Sequence, residues 1–269
     1  MTYFGKLLAQ PLPSETASAQ QRSCVTYHLS SLSGPAGERA AVVFFPSAFD
    51  PRSITTLESR SLISGFGTTG LRTWEASLHL GEFLCVNHWV VTRKSVLELG
   101  CGTGYVSILC AKFLGATRVI ASDGSDDVLI HLKDNLFLNG LEDSKAITPM
   151  DLKWGHALVG TEEPEWNGGR PIDVVLGADI TYDDRLVTPL VSTMSELTRL
   201  NPAVVMYISA TQRNAATFET FLTRCRAEGF TVEYEEFGVV PAEKQNGPFY
   251  SDRSPILICK IFRPFRSEG

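Results

Sequence analysis

"VLELGCGTGYVSI", residues 96–108, is an apolar run that breaks on glycine at 100, 102 and 104 and then resumes. What lies on either side gives the break its meaning. "SVLELG" (95–100) is short and apolar, as a buried strand is, and "YVSILCAKFLG" (105–115) has helical spacing and closes on Gly115. The stretch therefore predicts a strand, a bare-backbone turn and a helix. Glycines at such a turn let a ligand approach the main chain closely, or they serve only a tight turn.

The same alternation continues downstream. Strands are predicted at "RVIASD" (118–123), "AITPM" (146–150), "IDVVLGAD" (172–179) and "AVVMYISA" (203–210). Helices are predicted at 125–140, with Ser125 as N-cap and Gly140 at its end, and at 185–200 and 214–229. Upstream, "RTWEASLHLGEFLCVNHW" (72–89) has the apolar spacing of an amphipathic helix. The chain ends differently, on "FTVEYEEF" (230–237) and "SPILICKIF" (254–262), two strands with no helical pattern between them. Without a crossover helix that pair is most simply antiparallel. The fold class is α/β: a Rossmann-like, seven-stranded, mostly parallel sheet with helices on both faces and an antiparallel C-terminal β-hairpin.

Residues 1–65 read as a small N-terminal extension ahead of the main domain at 66–269. Pro, Ser, Gly and Gln crowd its residues 11–37, around the β-like piece Val25–Leu29; "AVVFF" (41–45) is the second candidate strand. A disordered tail is the alternative that composition allows.

The 269 residues are 43% hydrophobic and 20% charged, which suits one large α/β domain with a sizeable core. With 24 basic and 30 acidic residues the net charge is −6, against the basic stripe of a nucleic-acid binder. The acidic runs "TEEPEW" (161–166) and "EYEEF" (233–237) are either solvated faces or docking points for a basic partner. Six cysteines without CxxC spacing or clustered histidines argue against a metal site or disulfide framework and for a reducing, cytoplasmic setting. No apolar run of about 18 residues that could span a bilayer is seen.

In an open α/β sheet, ligands bind at the carboxyl ends of the strands. A dinucleotide binder would need GxGxxG; here Gly100-Cys101-Gly102-Thr103-Gly104 is tighter by one residue and suits a ligand without pyrophosphate. Asp123, at the end of the next strand, is placed to accept both ribose hydroxyls of an adenosine cofactor, or else to cap the following helix. Glu98 lies within a buried strand, where a carboxylate is costly unless paired, and is expected to bond the turn or a cationic ligand such as S-adenosylmethionine. Asp179 and Tyr182 in "GADITYDD" (177–184) put a carboxylate and a phenol three residues apart at the end of the fourth strand. No Walker loop and no serine–histidine pair is evident.

Taken together, "VLELGCGTG", "ASD", "GAD" and the closing hairpin resemble the seven-β-strand S-adenosylmethionine-dependent methyltransferases. "GTTGLRTWEASLHLGEFL" (67–84), "DNLFLNG" (134–140), "DLKWG" (151–155) and the DxxY motif Asp179–Tyr182 resemble the branch that methylates protein lysines. With "RSCVTYHL" ahead of them, the segments are most similar to the elongation factor 2 lysine methyltransferases. The likeness covers residues 22–262. That subgroup carries a longer N-terminal region, so the resemblance implies a shortened chain.

The resemblance implies that Gly100, Cys101, Gly102 and Gly104 hold the methionine end of S-adenosylmethionine, Asp123 its ribose, and Trp154 its adenine. It implies a close backbone wall at Ala178 and closure of the pocket by Trp74. The residue types fit, since an indole offers a flat face to a purine, although core filling is the other use of Trp74 and Trp154. Asp179 is expected to orient the incoming lysine ammonium and Tyr182 to shape its channel and bond the amine, helix capping being the alternative for both. No metal is expected, and the partner is a protein substrate, elongation factor 2, met by a cytoplasmic monomer that binds neither nucleic acid nor membrane. A chaperone or another translation factor as substrate, or a non-catalytic adaptor, are the rival readings.

Overall fold

The computed structural model of the chain describes residues 22–32, 52–59, 69–159 and 166–264. Five strands run parallel: β3 (Ser95–Leu99), β4 (Arg118–Asp123), β5 (Ile147–Asp151), β6 (Val174–Ala178) and β7 (Val205–Thr211). The last two strands, β8 (Thr231–Tyr234) and β9 (Ile256–Phe262), are antiparallel to each other, and β9 lies antiparallel against β7. The order across the sheet is β5-β4-β3-β6-β7-β9-β8, so β9 is inserted between β7 and the edge strand. This is the seven-stranded fold that the residue pattern predicts.

The order places the switch point. From β3 the chain winds outward through β4 to β5, then returns to β6 on the other side of β3. The connections leaving β3 and β6 thus diverge and open a crevice at the carboxyl ends of those strands, where such sheets bind ligands.

Helices cover both faces. α1 (Glu75–Val86), α2 (Tyr105–Lys112) and α3 (Asp126–Leu138) bury Leu80, Leu84, Ile108, Leu109 and Leu132 on one side. On the other side, α4 (Asp184–Leu200) and α5 (Ala215–Ala227) bury Leu190, Met194, Phe218 and Phe221. Each such side chain, withdrawn from water, contributes about 1.5–3 kcal/mol before entropy is counted. Local chemistry fixes the helix ends: Asp183 accepts a bond from Arg185 N, and Asn214 from Ala216 N and Thr217 N.

The first helix is shorter than its pattern suggested. It begins after Trp74, which has extended backbone (ψ 160), and residues beyond Asn87 tighten into a single 3₁₀ turn. Trp74 is therefore on the approach to α1 and not within it.

A separate two-stranded antiparallel sheet pairs β1 (Ser23–His28) with β2 (Ser53–Glu58). The second candidate strand, 41–45, lies outside the described residues. β2 was not legible, because its inward-facing positions are Ile54, Thr56 and Glu58, two of them polar. They bond one another in place: Glu58 Oε1 accepts from Tyr27 Oη at 2.8 Å and from the Thr56 and Thr73 hydroxyls at 2.7 Å, while Glu58 Oε2 is buried without a hydrogen bond. Asn135 on α3 and Asn139 at its C-cap bond the backbone of Leu57 and Thr55 and tie this sheet to the rest.

Candidate active site

The crevice at the β3–β6 switch point holds a cavity of about 360 Å³. Gly100, Cys101, Gly102, Asp123, Trp154, Ala178, Tyr182 and Trp74 all line it. Eight of the eleven residues singled out from sequence thus converge on one space, brought there by the ends of β3, β4, β5 and β6 and by the segment before α1.

The glycine turn works by leaving room. A Cβ on Gly100 would stand 2.8 Å from Ile180 Cγ2 and 3.3 Å from Trp154 Cζ2. Gly102 has φ +52, and a Cβ there would meet Gly70 O at 3.1 Å. Gly104 has a different task. It does not line this cavity; it is the N-cap of α2, and a Cβ on it would come within 2.3 Å of Leu132 Cδ1. Its lack of a side chain lets helix α3 close on the turn.

Asp123 links the glycine turn to the segment before α3. Its Oδ2 accepts from Gly102 N at 3.2 Å and its Oδ1 from Ser125 N at 3.1 Å, while the carboxylate borders the cavity. Burial pushes its pKa up, and the backbone N–H bonds oppose that shift. Cys101, buried beside Asp123, is held as a thiol by the same loss of water.

Glu98 departs from expectation. Side chains alternate along β3, and Leu97 and Leu99 join the core under α4, so Glu98 points the other way, toward α2. There it accepts from Ser107 N at 2.9 Å and from the Ser107 hydroxyl. It is 2% exposed and does not reach the cavity. Burial raises its pKa to about 8. Glu98 anchors the first turn of α2 and stands off the cavity lining.

Asp179 also departs from expectation. It follows Ala178 directly, but its φ of 53 is left-handed and turns the carboxylate toward the end of β7. Oδ1 accepts from Thr211 N at 2.8 Å; Oδ2 accepts from Thr211 Oγ1 at 3.0 Å and from Arg213 Nη1 at 3.2 Å. The side chain is 8% exposed and does not line the cavity. Nor does it cap α4, since Asp183 does so. Tyr182 is at the mouth, 54% exposed, its phenol oxygen accepting from Thr69 Oγ1 at 3.4 Å.

Sequence reading missed the cations here. Arg72 lines the cavity with its guanidinium 4.3 Å from the centre of the Trp74 ring, and its buried Nε makes no hydrogen bond. Arg213 stands 5.1 Å from the same ring and bonds Glu75 Oε2 at 2.5 Å. Trp74 is steered by its own N–H, which donates to Thr69 O at 2.9 Å. An arginine two residues before a tryptophan, as in "RTW", was the one local signal. Arg213 gave none, because folding alone brings it to the site. Among the described residues no cluster of metal-ligating side chains occurs, and no helix is long and apolar enough to cross a membrane.

Comparison with known proteins bears on what this arrangement does. Residues 63–227 match the protein family described as lysine methyltransferase. The chain is 56% identical over 263 residues to the protein-lysine N-methyltransferase EFM3 of Chaetomium thermophilum, covering 98% of this chain and 74% of that one. It is 34% identical over 195 residues to the human protein-lysine N-methyltransferase EEF2KMT, covering 68% of this chain and 57% of that one. With EFM3 of Saccharomyces cerevisiae the identity is 33% over 228 residues, 76% of this chain and 64% of the yeast protein. The chain thus spans less than two thirds of the human and yeast relatives. Among solved structures, the methyltransferase domain of bacterial CtHen1-C superposes with a TM-score of 0.50 at 17% identity, covering 70% of this chain and 98% of that domain. That likeness concerns the fold.

Proposed function

The chain belongs to the lysine methyltransferase family, and from that premise we propose that it methylates a lysine of translation elongation factor 2, using S-adenosylmethionine. The family and the fold imply that cofactor. The observation that carries the proposal is the single cavity in which the glycine turn, Asp123 and two indoles meet.

The residues present fit S-adenosylmethionine. Gly100 and Gly102 leave open a cradle that a Cβ would fill or crowd. Asp123 is an acceptor for ribose hydroxyls, Trp154 offers a flat apolar face to adenine, and Arg72 has a buried donor free for a carboxylate. Bound there, the sulfonium supplies an already activated methyl group.

This chain's residues have the task of preparing the amine. Lysine titrates near about 10.4 and is protonated in neutral water. A mouth formed by Trp74, Ile180 and Tyr182 strips water from it and lowers that value, so the proton leaves to solvent. The phenol of Tyr182, at the rim, is placed to bond the amine. Asp179 supplies negative charge beside the wall at Ala178 and orients the ammonium without acting as a strong base.

Elongation factor 2 as acceptor is supported by the segments shared with that subgroup and by the relatives named EFM3 and EEF2KMT. All six cysteines are free, in keeping with a reducing cytoplasm. The same reading takes the protein as a monomer that needs no metal and binds no nucleic acid.

The test is transfer of labelled methyl into purified elongation factor 2, with a heat-shock chaperone and a cytosolic extract alongside. One labelled band at the elongation factor is expected. Label on another protein would discard the acceptor and keep the chemistry; no label anywhere, with cofactor bound, would favour an adaptor.

A further inference from the structure

We propose that Arg213 is a positioning residue that holds the place of the substrate's ammonium on Asp179 and gives it up when the lysine arrives; this rests on the lysine-methyltransferase reading above. The starting point is that Asp179, as it stands, is not available to a substrate. Its oxygens take three donors, and its side chain is 8% exposed. Oδ2 already accepts from two of them, so an ammonium that bonds Oδ2 must displace one.

The three donors differ in how firmly they are held. Thr211 N belongs to β7 at a position paired with Ile256 of β9, and Thr211 Oγ1 is fixed to the same backbone. Arg213 makes the longest of the three contacts, at 3.2 Å, from a side chain that is 43% exposed. A guanidinium on a long stem regains rotamer freedom when it lets go, whereas the Thr211 N–H cannot leave without unpairing the strand and its hydroxyl turns only on a short β-branched stem. Arg213 is the donor that yields.

Charge balance points the same way. Arg72 and Arg213 face Glu75 and Asp179, two cations against two carboxylates, with contacts of 3.8, 2.5 and 3.2 Å. A lysine ammonium entering this set makes a third cation beside two anions. Withdrawal of Arg213 from Asp179 restores the balance at that carboxylate. A neutral side chain offers nothing in exchange, so the swap selects a cation at the mouth. Arg213 also covers Trp74, which lines the cavity, so the exchange is felt at the cavity wall.

Two variants test this: Arg213→Gln, which removes the charge and keeps a donor, and Arg213→Lys, which keeps the charge. With elongation factor 2 as acceptor, Arg213→Gln is expected to lower the acceptor KM roughly two- to fivefold, the worth of one partly exposed ion pair, while Arg213→Lys stays near wild type. A fall in kcat with acceptor KM unmoved, or loss of cofactor affinity by calorimetry, would mean that Arg213 only clamps the site and would overturn the proposal. A second arm does not depend on the acceptor's identity. n-Butylamine at neutral pH is titrated into the protein with cofactor bound, and the Arg213 side-chain N–H signal, assigned by its absence in Arg213→Gln, is followed by NMR. A shift of that signal, with tighter amine binding in Arg213→Gln, is expected. An unmoved signal, or equal amine affinity in both proteins, overturns the exchange. Absence of transfer to elongation factor 2 with the amine response intact would instead discard the acceptor.

Discussion

Ser107 donates both its backbone N–H, at 2.9 Å, and its hydroxyl to one oxygen of Glu98, inside a layer of the protein from which water is excluded. Burial outweighs these bonds and raises the Glu98 pKa from 4.5 to about 8. A carboxyl whose folded pKa lies above its unfolded value contributes fully below the unfolded value and loses that contribution as pH rises through the folded one. Between about pH 4.5 and 8 the wild type is therefore expected to lose stability on this account, steadily with pH. Glu98→Gln, which stays neutral, should flatten that slope and be the more stable protein at pH 8–9. Thermal unfolding of both proteins across pH 5 to 9 reads this out; parallel curves would refute it.

The glycines of the turn separate by experiment. Gly104→Ala puts a Cβ 2.3 Å from Leu132 Cδ1 at a residue with φ +80. Overpacking and backbone strain together are expected to cost about 2–4 kcal/mol of folding stability. Gly102→Ala, with φ +52 and a backbone oxygen at 3.1 Å, alters the cavity wall itself and should cost cofactor affinity by a larger factor than Gly104→Ala does. Calorimetry with S-adenosylmethionine beside thermal unfolding distinguishes them. Equal losses in both measurements would refute the division of labour.

What the residue pattern revealed and what it hid follow one physical line. The five parallel strands, the glycine turn and the place of Asp123 were legible because each is set by local periodicity and by the end of its own strand, whereas Ala178 came only from the family resemblance. The face of Glu98 was not, because β3 is buried on both sides and apolar neighbours mark neither. Asp179 was placed at the right strand end, but its left-handed backbone and its bonds to Thr211 and Arg213 were not legible. Arg213 is 34 residues from Asp179 and 138 from Glu75, so only the assembled sheet joins them. β2 was hidden by threonine and glutamate on its inward face, polar groups that find Tyr27 and Thr73 as partners only once the chain is folded.

Trp154 is expected to hold the adenine by stacking. Its indole already lies close to Gly100, where a Cβ would meet it at 3.3 Å, and it borders the cavity beside Leu152 and Lys153. Trp154→Ala should weaken S-adenosylmethionine binding by about 1–3 kcal/mol, the usual worth of one aromatic–base stack. Trp154→Phe should recover much of it. Calorimetric Kd values for the three proteins test this, and an alanine variant that binds like wild type would assign Trp154 to the core alone.

Asp179 demands a substitution that changes charge without changing shape. Alanine at φ 53 adds backbone strain to the loss of the carboxylate, whereas asparagine tolerates the left-handed region. Asp179→Asn also keeps an oxygen for Thr211 N, now 2.8 Å from Oδ1, and so preserves the wall at Ala178. Because the side chain lies outside the cavity, cofactor affinity should stay within about threefold, under 1 kcal/mol. Methyl transfer should fall by about a hundredfold or more, since a desolvated ammonium loses the charge that orients it. Labelled-methyl assays on elongation factor 2 beside calorimetry decide the matter. Comparable loss of cofactor binding would place Asp179 among the residues that build the cofactor cavity, and transfer at the wild-type rate would remove it from the reaction altogether.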